Sequence, residues 1–224
     1  MSRELVSAAA LVACLALAQL VPPEAGATEL VVDPEASELV VRLEPGGVGA
    51  ALAHAHVVEA TRIDGRVVWN PDHPQLAEVT VRADARSLVA DDPRLRERYG
   101  LEEELPEAKR AKVQARMESP SQMDVARYPE MIFESTAVTP MAEGLLEVTG
   151  NLTLHGRTRE VVFRTSPRTE GDILRADAQL ELLQSDFGIE PYRAFLGTIR
   201  NRDRVRLMIH LVARPAAGGE PAAE

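Results

Sequence analysis

Two histidines separated by one residue, His54 and His56 in ALAHAHVV (residues 51–58), are the pair in this chain most suggestive of chemistry. Side chains at i and i+2 of a β-strand leave the same face, so a strand here sets two imidazoles side by side. Two imidazoles can share one zinc or copper ion, but such a site needs a third ligand and usually a fourth. His155, His210, Asp186 and Glu59 carry suitable donors, and nothing in their spacing brings them together. The same pair at the rim or inside a cavity would hydrogen-bond each other or the polar end of a guest. A surface strand that happens to carry two histidines is the third reading. Ala50, Leu52, His54, His56 and Val58 would share one face, with Ala51, Ala53, Ala55 and Val57 on the other. We read the histidine face as the inward one.

Enzyme signatures are not evident. There is no Gly-x-Ser-x-Gly elbow and no phosphate-binding glycine loop. Ser185 beside Asp186 with a distant histidine makes no triad argument. We therefore expect a non-enzyme with no cofactor beyond a bound guest. Phe187 and Tyr192, in SDFGIEPY (residues 185–192), are expected to close a pocket mouth together with His54 and His56, or else to be core aromatics. Trp69 reads as a core or rim plug, His155 as a turn residue bonded to local backbone, and His73 as solvent-exposed.

The supporting chain has 224 residues. Leu5–Val21 is almost continuously apolar after Arg3, and Ala25-Gly26-Ala27 offers a small-residue cleavage site. That pattern reads as a secretory signal over residues 1–27, cleaved after Ala27, and places the mature protein in the periplasm or outside the cell. Pro22 and Pro23 end a run too short to favour a membrane span, and none is expected in the mature chain. Cys14 is the only cysteine. Leu11–Cys14 resembles a lipoprotein box, but the apolar run continues past it, so a lipid anchor is the lesser reading. Cleavage after Ala27 would leave no thiol and no disulfide. The net charge of −10 falls only to −9 on removal of residues 1–27, which hold Arg3, Glu4 and Glu24. This balance argues against nucleic acid as a partner and against tight binding to anionic lipid surfaces.

Past the leader the hydrophobic period is mostly two. Residues 37–43, 62–69, 77–84, 145–154, 159–165, 173–182 and 204–212 alternate as half-buried strands do. Gly and Pro punctuate them at Pro45-Gly46-Gly47, Asn70-Pro71, Gly144, Gly156, Gly171 and Gly188. Residues 91–117 differ, being charge-rich, with Pro106 and Glu107 suited to a first helical turn. One helix of about three turns is expected there, with a thin stripe of Ala108, Ala111, Val113 and Ala115. The fold class is therefore all-β with one inserted helix: an extended antiparallel barrel of about eight strands. A barrel of that size packs its interior with side chains or encloses one small ligand. The face carrying Leu174, Ala176, Ala178, Leu180 and Leu182 is slim and apolar; it suits either a chain-like guest or packing against the helix. The end of the chain, residues 214–224, reads as a disordered tail.

Four segments resemble the YceI-like family. They are ESPSQMDVARYPEMIFEST (118–136), VTGNLTLHGRTREVVF (148–163), VTVRADARSLVADD (79–92) and SDFGIEPY (185–192). The resemblance spans 28–213, with a helical insertion at about 92–118 that is longer and more charged than in the shortest members. It implies a lipocalin-like barrel, exported, that holds an apolar chain of polyisoprenoid or fatty-amide type. It implies no settled enzymatic activity, and pairing as a homodimer in some relatives. The expected function is sequestration or carriage of an isoprenoid-type or other long-chain lipid. The alternatives are a metal-dependent protein using His54 and His56, and an envelope stress protein acting through protein contacts.

Overall fold

The computed structural model describes residues 26–101 and 105–216. The leader expected at residues 1–27, apart from Gly26 and Ala27, lies outside them, as do Cys14 and residues 217–224 of the expected tail. In chain order the elements are β1 (Thr28–Val32), β2 (Glu38–Gly46), β3 (His56–Ala60), β4 (Ile63–Trp69), β5 (Glu78–Asp84), β6 (Leu88–Ala90), α1 (Pro93–Arg98), α2 (Glu107–Glu118), β7 (Glu130–Pro140), β8 (Leu146–Leu154), β9 (Arg157–Glu170), β10 (Ile173–Leu183), β11 (Arg193–Ala194) and β12 (Ile199–Pro215). The last strand runs through Arg214 and Pro215, two residues beyond the expected end of the barrel.

The alternating segments pair as antiparallel neighbours around a closed ring of eight strands, β1, β4, β5, β7, β8, β9, β10 and β12. Closure comes from β1, whose Leu30, Val31 and Val32 pair with Pro215, Arg214 and Ala213. Strands β2, β3 and β6 prolong β1, β4 and β5 beyond sharp bends, because β2 pairs with the first half of β12, β3 with β2, and β6 with β3. At the bend between β1 and β2 the Ser37 hydroxyl accepts from Val212 N–H and donates to Val212 O. It stands in for the missing backbone partner, which a buried ladder cannot leave unpaired.

The ring is incomplete beside β6. Strand β7 pairs with β5 only up to Asp84, so the free edge of β6 meets α2 instead of a strand. Gln114 of α2 closes that edge with one amide: its Oε1 accepts from Ala90 N–H at 2.8 Å and its Nε2 donates to Leu88 O at 2.7 Å. The expected inserted helix is thus α2, and it serves as a piece of barrel wall. A shorter helix, α1, stands beside the one that the sequence suggests. Asp92 caps it by accepting from Arg94 N–H, and Pro93 opens its first turn. It covers the outer face of β2 and β3, where Val40, Val57 and Leu95 form a small second core.

Candidate functional site: a one-ended apolar chamber

Residues of nine strands, all but β1, β4 and β11, line a chamber of about 850 Å³. That is within the usual size of small-molecule sites. Val79, Val81 and Ala83 of β5, Ala176, Ala178, Leu180 and Leu182 of β10, and Val205, Leu207, Ile209 and Leu211 of β12 form most of one continuous apolar surface. The slim face of β10 therefore borders open space along most of its length; only Leu174 is packed away. Val113 and Met117 of α2 complete the wall where β6 and β7 part.

One end of the barrel is filled. Leu30, Val67, Trp69, Val138, Leu146 and Leu174 are all buried there. The Trp69 indole N–H donates to Thr169 Oγ1 at 3.2 Å, so the largest side chain of the chain is pinned across the ring. The other end carries the polar lining: Lys112, Arg116, Ser119, Gln122, Gln184, Tyr192 and Asn201. There Arg116 lies over the Tyr192 ring, 5.5 Å from its centroid. Gln122 donates to Glu190 O at 2.9 Å, which ties the turn after α2 to the segment carrying Tyr192.

Of the residues singled out by sequence, the structure brings His56 and Tyr192 into the chamber lining. His54 and Phe187 are not among the lining residues. Ala50–Leu52 coils into a 3-10 turn, and the strand begins only at His56, so the alternation assumed through residues 50–58 starts six residues late. His54 is half-buried ahead of β3 and does not stand beside His56 on one strand face. Phe187 is buried at 2 % exposure. Its carbonyl O pairs with His155 Nδ1 at 3.1 Å, and His155 in turn meets Tyr128 edge-on at 4.4 Å between ring centroids. Tyr128 also packs over Gly156, where a Cβ would lie 2.5 Å from the ring. Tyr128, His155, Gly156 and Phe187, drawn from three of the sequence segments quoted above, therefore form a structural bracket. His155 bonds a carbonyl 32 residues away and not its local backbone. His73 is exposed.

The residues that sequence reasoning missed stand behind His56. Asp91 is completely buried, and its carboxylate receives His56 Nδ1 at 2.6 Å, Arg96 Nη1 at 2.8 Å and Val57 N–H at 3.3 Å. Burial alone would push the Asp91 carboxyl up. The His56 ring, the Arg96 guanidinium and the Val57 N–H outweigh it and hold the group below its ordinary value of 3.8. An ionised carboxylate only accepts, so Nδ1 carries the proton it donates to Asp91. Nε2 is then the ring nitrogen left for a guest. Asp91 adopts positive φ (56°), a cost few non-glycine residues bear without compensation. The Asp91-Asp92-Pro93 run was legible as a helix start; the partnership with His56, 35 residues away, was not.

The metal reading gains no third ligand. Among the described residues no group of three or more His, Cys, Asp or Glu side chains is arranged to hold a metal ion. His210 pairs with Asp177 instead. No helix among the described residues is long and apolar enough to cross a membrane.

Fold and chamber define a class: an antiparallel lipocalin-like barrel built around an apolar interior, with its polar lining at one end. The chain belongs to the YceI-like domain family, whose pattern matches residues 30–213. It is 30 % identical over 182 residues to a UPF0312 protein of Pseudomonas putida strain W619, covering 79 % of this chain and 84 % of that one. Its fold is similar to that of BcnA from Burkholderia cenocepacia, with a TM-score of 0.62 and 18 % identity over 81 % of this chain and 98 % of that one. It is similar also to a polyisoprenoid binding domain from Saccharophagus degradans, with a TM-score of 0.55 and 12 % identity over 83 % and 98 % of the two chains. At those identities the two solved structures establish the fold.

Proposed function

We propose that this is an exported protein that sequesters or carries a long apolar chain, with isoprenoid-type lipids as the leading ligand class. The observation that carries the reading is the chamber itself, about 850 Å³ of mostly aliphatic wall, filled at one end and polar at the other. A chain-like amphiphile matches that polarity. Each methylene moved from water into the barrel contributes about 0.8 kcal/mol. The polar end of the guest would meet His56 Nε2, Tyr192 and the Arg116 side chain. The solved domain from Saccharophagus degradans described as polyisoprenoid binding supports the ligand class by analogy of fold. The apolar run of Leu5–Val21 and the Ala25-Gly26-Ala27 step support export. The hollow interior favours ligand holding over a protein that acts through contacts alone.

The test is to recover the protein from its host, extract it with organic solvent, and identify the lipid by mass spectrometry. A stoichiometric long-chain lipid is expected, or uptake of a long-chain isoprenol by emptied protein. Protein that is empty on recovery and takes up no such chain would refute the reading.

A further inference from the structure

Two aliphatic side chains stand wholly in water at the polar end of the barrel: Val48 is 94 % exposed and Leu196 is 108 % exposed. Single exposed aliphatics are ordinary on protein surfaces. These two occupy the tips of adjoining loops that are clamped together through their backbones. Gly49 N–H donates to Thr198 O at 2.9 Å, and a Cβ on Gly47 would lie 2.5 Å from the same oxygen. Gly47 and Gly49 therefore let the Val48 loop press against the β11–β12 hairpin. Leu196 sits at the tip of that hairpin with positive φ (56°). The close packing holds both apolar tips out together.

Beside them lies an open polar cleft of about 810 Å³ lined by Arg193, Arg200, Arg202 and Arg204, against only Glu190 and Asp203. Arg204 pairs with Glu181, Arg193 lies 3.8 Å from the Glu190 carboxylate, and Asp203 accepts from Ser185. The cleft shares Ile189 and Asn201 with the lining of the chamber. The cleft thus holds a local surplus of guanidinium groups on a chain whose net charge is −10. The whole-chain balance argued against anionic lipid, but it averages over this cluster, and a field of several kT is a local property.

Aliphatic tips flanked by guanidinium groups match the interface of an anionic bilayer, where apolar side chains enter the acyl boundary and basic ones meet phosphate. We propose that this end of the barrel docks on an anionic membrane surface, with Val48 and Leu196 in the interface and Arg193, Arg200 and Arg202 on lipid phosphates. The purpose rests on the lipid-holding function proposed above: a chain can then pass between bilayer and chamber through the cleft without crossing water.

The experiment is co-sedimentation of the protein, as recovered from its host, with vesicles of phosphatidylglycerol and phosphatidylcholine or of phosphatidylcholine alone. Three proteins are compared: the unaltered chain, V48D with L196D, and R193E with R200E and R202E. Binding to the anionic vesicles is expected, weakened by salt, and reduced on the order of a hundredfold by the triple charge reversal. The tip variant is expected to lose binding at low salt as well. The tip variant should keep the thermal midpoint of the unaltered protein and its uptake of an isoprenol from detergent micelles; the charge-reversal variant, which loses the Arg202 bond to Pro45 O, should remain folded. Equal binding to both vesicle types, no binding, or variants that bind as the unaltered protein does would overturn the proposal. Loss of a dimer in V48D with L196D, without vesicle binding by the unaltered protein, would overturn it in favour of a second copy of the chain. Vesicle binding that persists in a protein unable to take up isoprenol would uphold the docking surface and refute the chamber reading.

Discussion

The two ends of this barrel are built from the same alternating strands and do opposite things with their interiors. At one end Trp69, Leu30, Val67 and Leu146 meet across the ring and leave no room. Beyond it, small side chains such as Ala83, Ala176 and Ala178 line the chamber, and toward the other end a helix replaces a strand beside β6, so the interior stays open. The buried polar groups divide the same way. The filled end needs one indole hydrogen bond, from Trp69 to Thr169. The open end carries a hydrogen-bonded trio, His56, Asp91 and Arg96, set behind the chamber wall and dried by α1. A filled end holds its shape by packing. An open end has few apolar contacts to spend on rigidity, and here directional polar bonds hold it.

That contrast breaks most sharply at Asp91. Asp91→Ala leaves Arg96 buried without its carboxylate, and removal of one partner from such a pair costs about 3–5 kcal/mol. Urea unfolding should show a loss of that size. If the midpoint barely moves, the trio does not hold the open end. The same group predicts an acid limit. Its folded-state pKa is lowered, so the stability it provides is complete above its ordinary value of 3.8 and drains away as pH falls toward the folded value. Unfolding free energy measured in steps below about pH 4 should fall more steeply in the unaltered protein than in Asp91→Asn.

Trp69→Ala removes the plug of the filled end and should cost about 3 kcal/mol, at the lower end of the range for a large aromatic because Trp69 borders the rim. Its folded fraction should still take up an isoprenol. Loss of uptake in folded Trp69→Ala protein would show that the two ends are not separate. Ala178→Phe does the reverse. The ring enters open space, so the thermal midpoint should change little. The displaced methylenes, about two of them, should weaken isoprenol uptake on the order of tenfold. The smallest effect is expected at the mouth. Arg116→Ala removes the guanidinium from the Tyr192 face and should weaken retention of the guest by about 0.5–1 kcal/mol. Dissociation rates from a fluorescent lipid analogue would measure it.

Much of the barrel was legible because a half-buried strand must alternate. Each of the seven alternating segments became a strand to within a few residues, except that residues 159–165 and 204–212 proved to be the middles of the longer β9 and β12. The helix was legible from Pro106 and Glu107, and only its task was not. Gln114, which closes the edge of β6, looks like any polar helix residue. The histidine segment failed for an identifiable reason: a run of Ala, Leu and His permits a turn as readily as a strand, and the Gly47 and Gly49 contacts with Thr198 bend the chain there. His54 was therefore separated from His56. Phe187 and Tyr192 share one short segment and look equivalent in it, yet one is anchored beneath the His155 turn and the other lines the chamber.

By itself the sequence determined most of the long strands, the helix α2, the antiparallel class, the leader pattern and the slimness of the inward faces. These follow from period, composition and side-chain volume, which are local. Only the tertiary structure decided that one end is plugged and the other open, that His56 rests on Asp91 and Arg96, and that Val48 and Leu196 stand together beside four arginines. Each of those depends on which residues the closed ring and its bent extensions bring opposite one another, across separations of 35 to 157 positions. Hydrophobic alternation says which way a side chain points, and it carries no information about what it will find there.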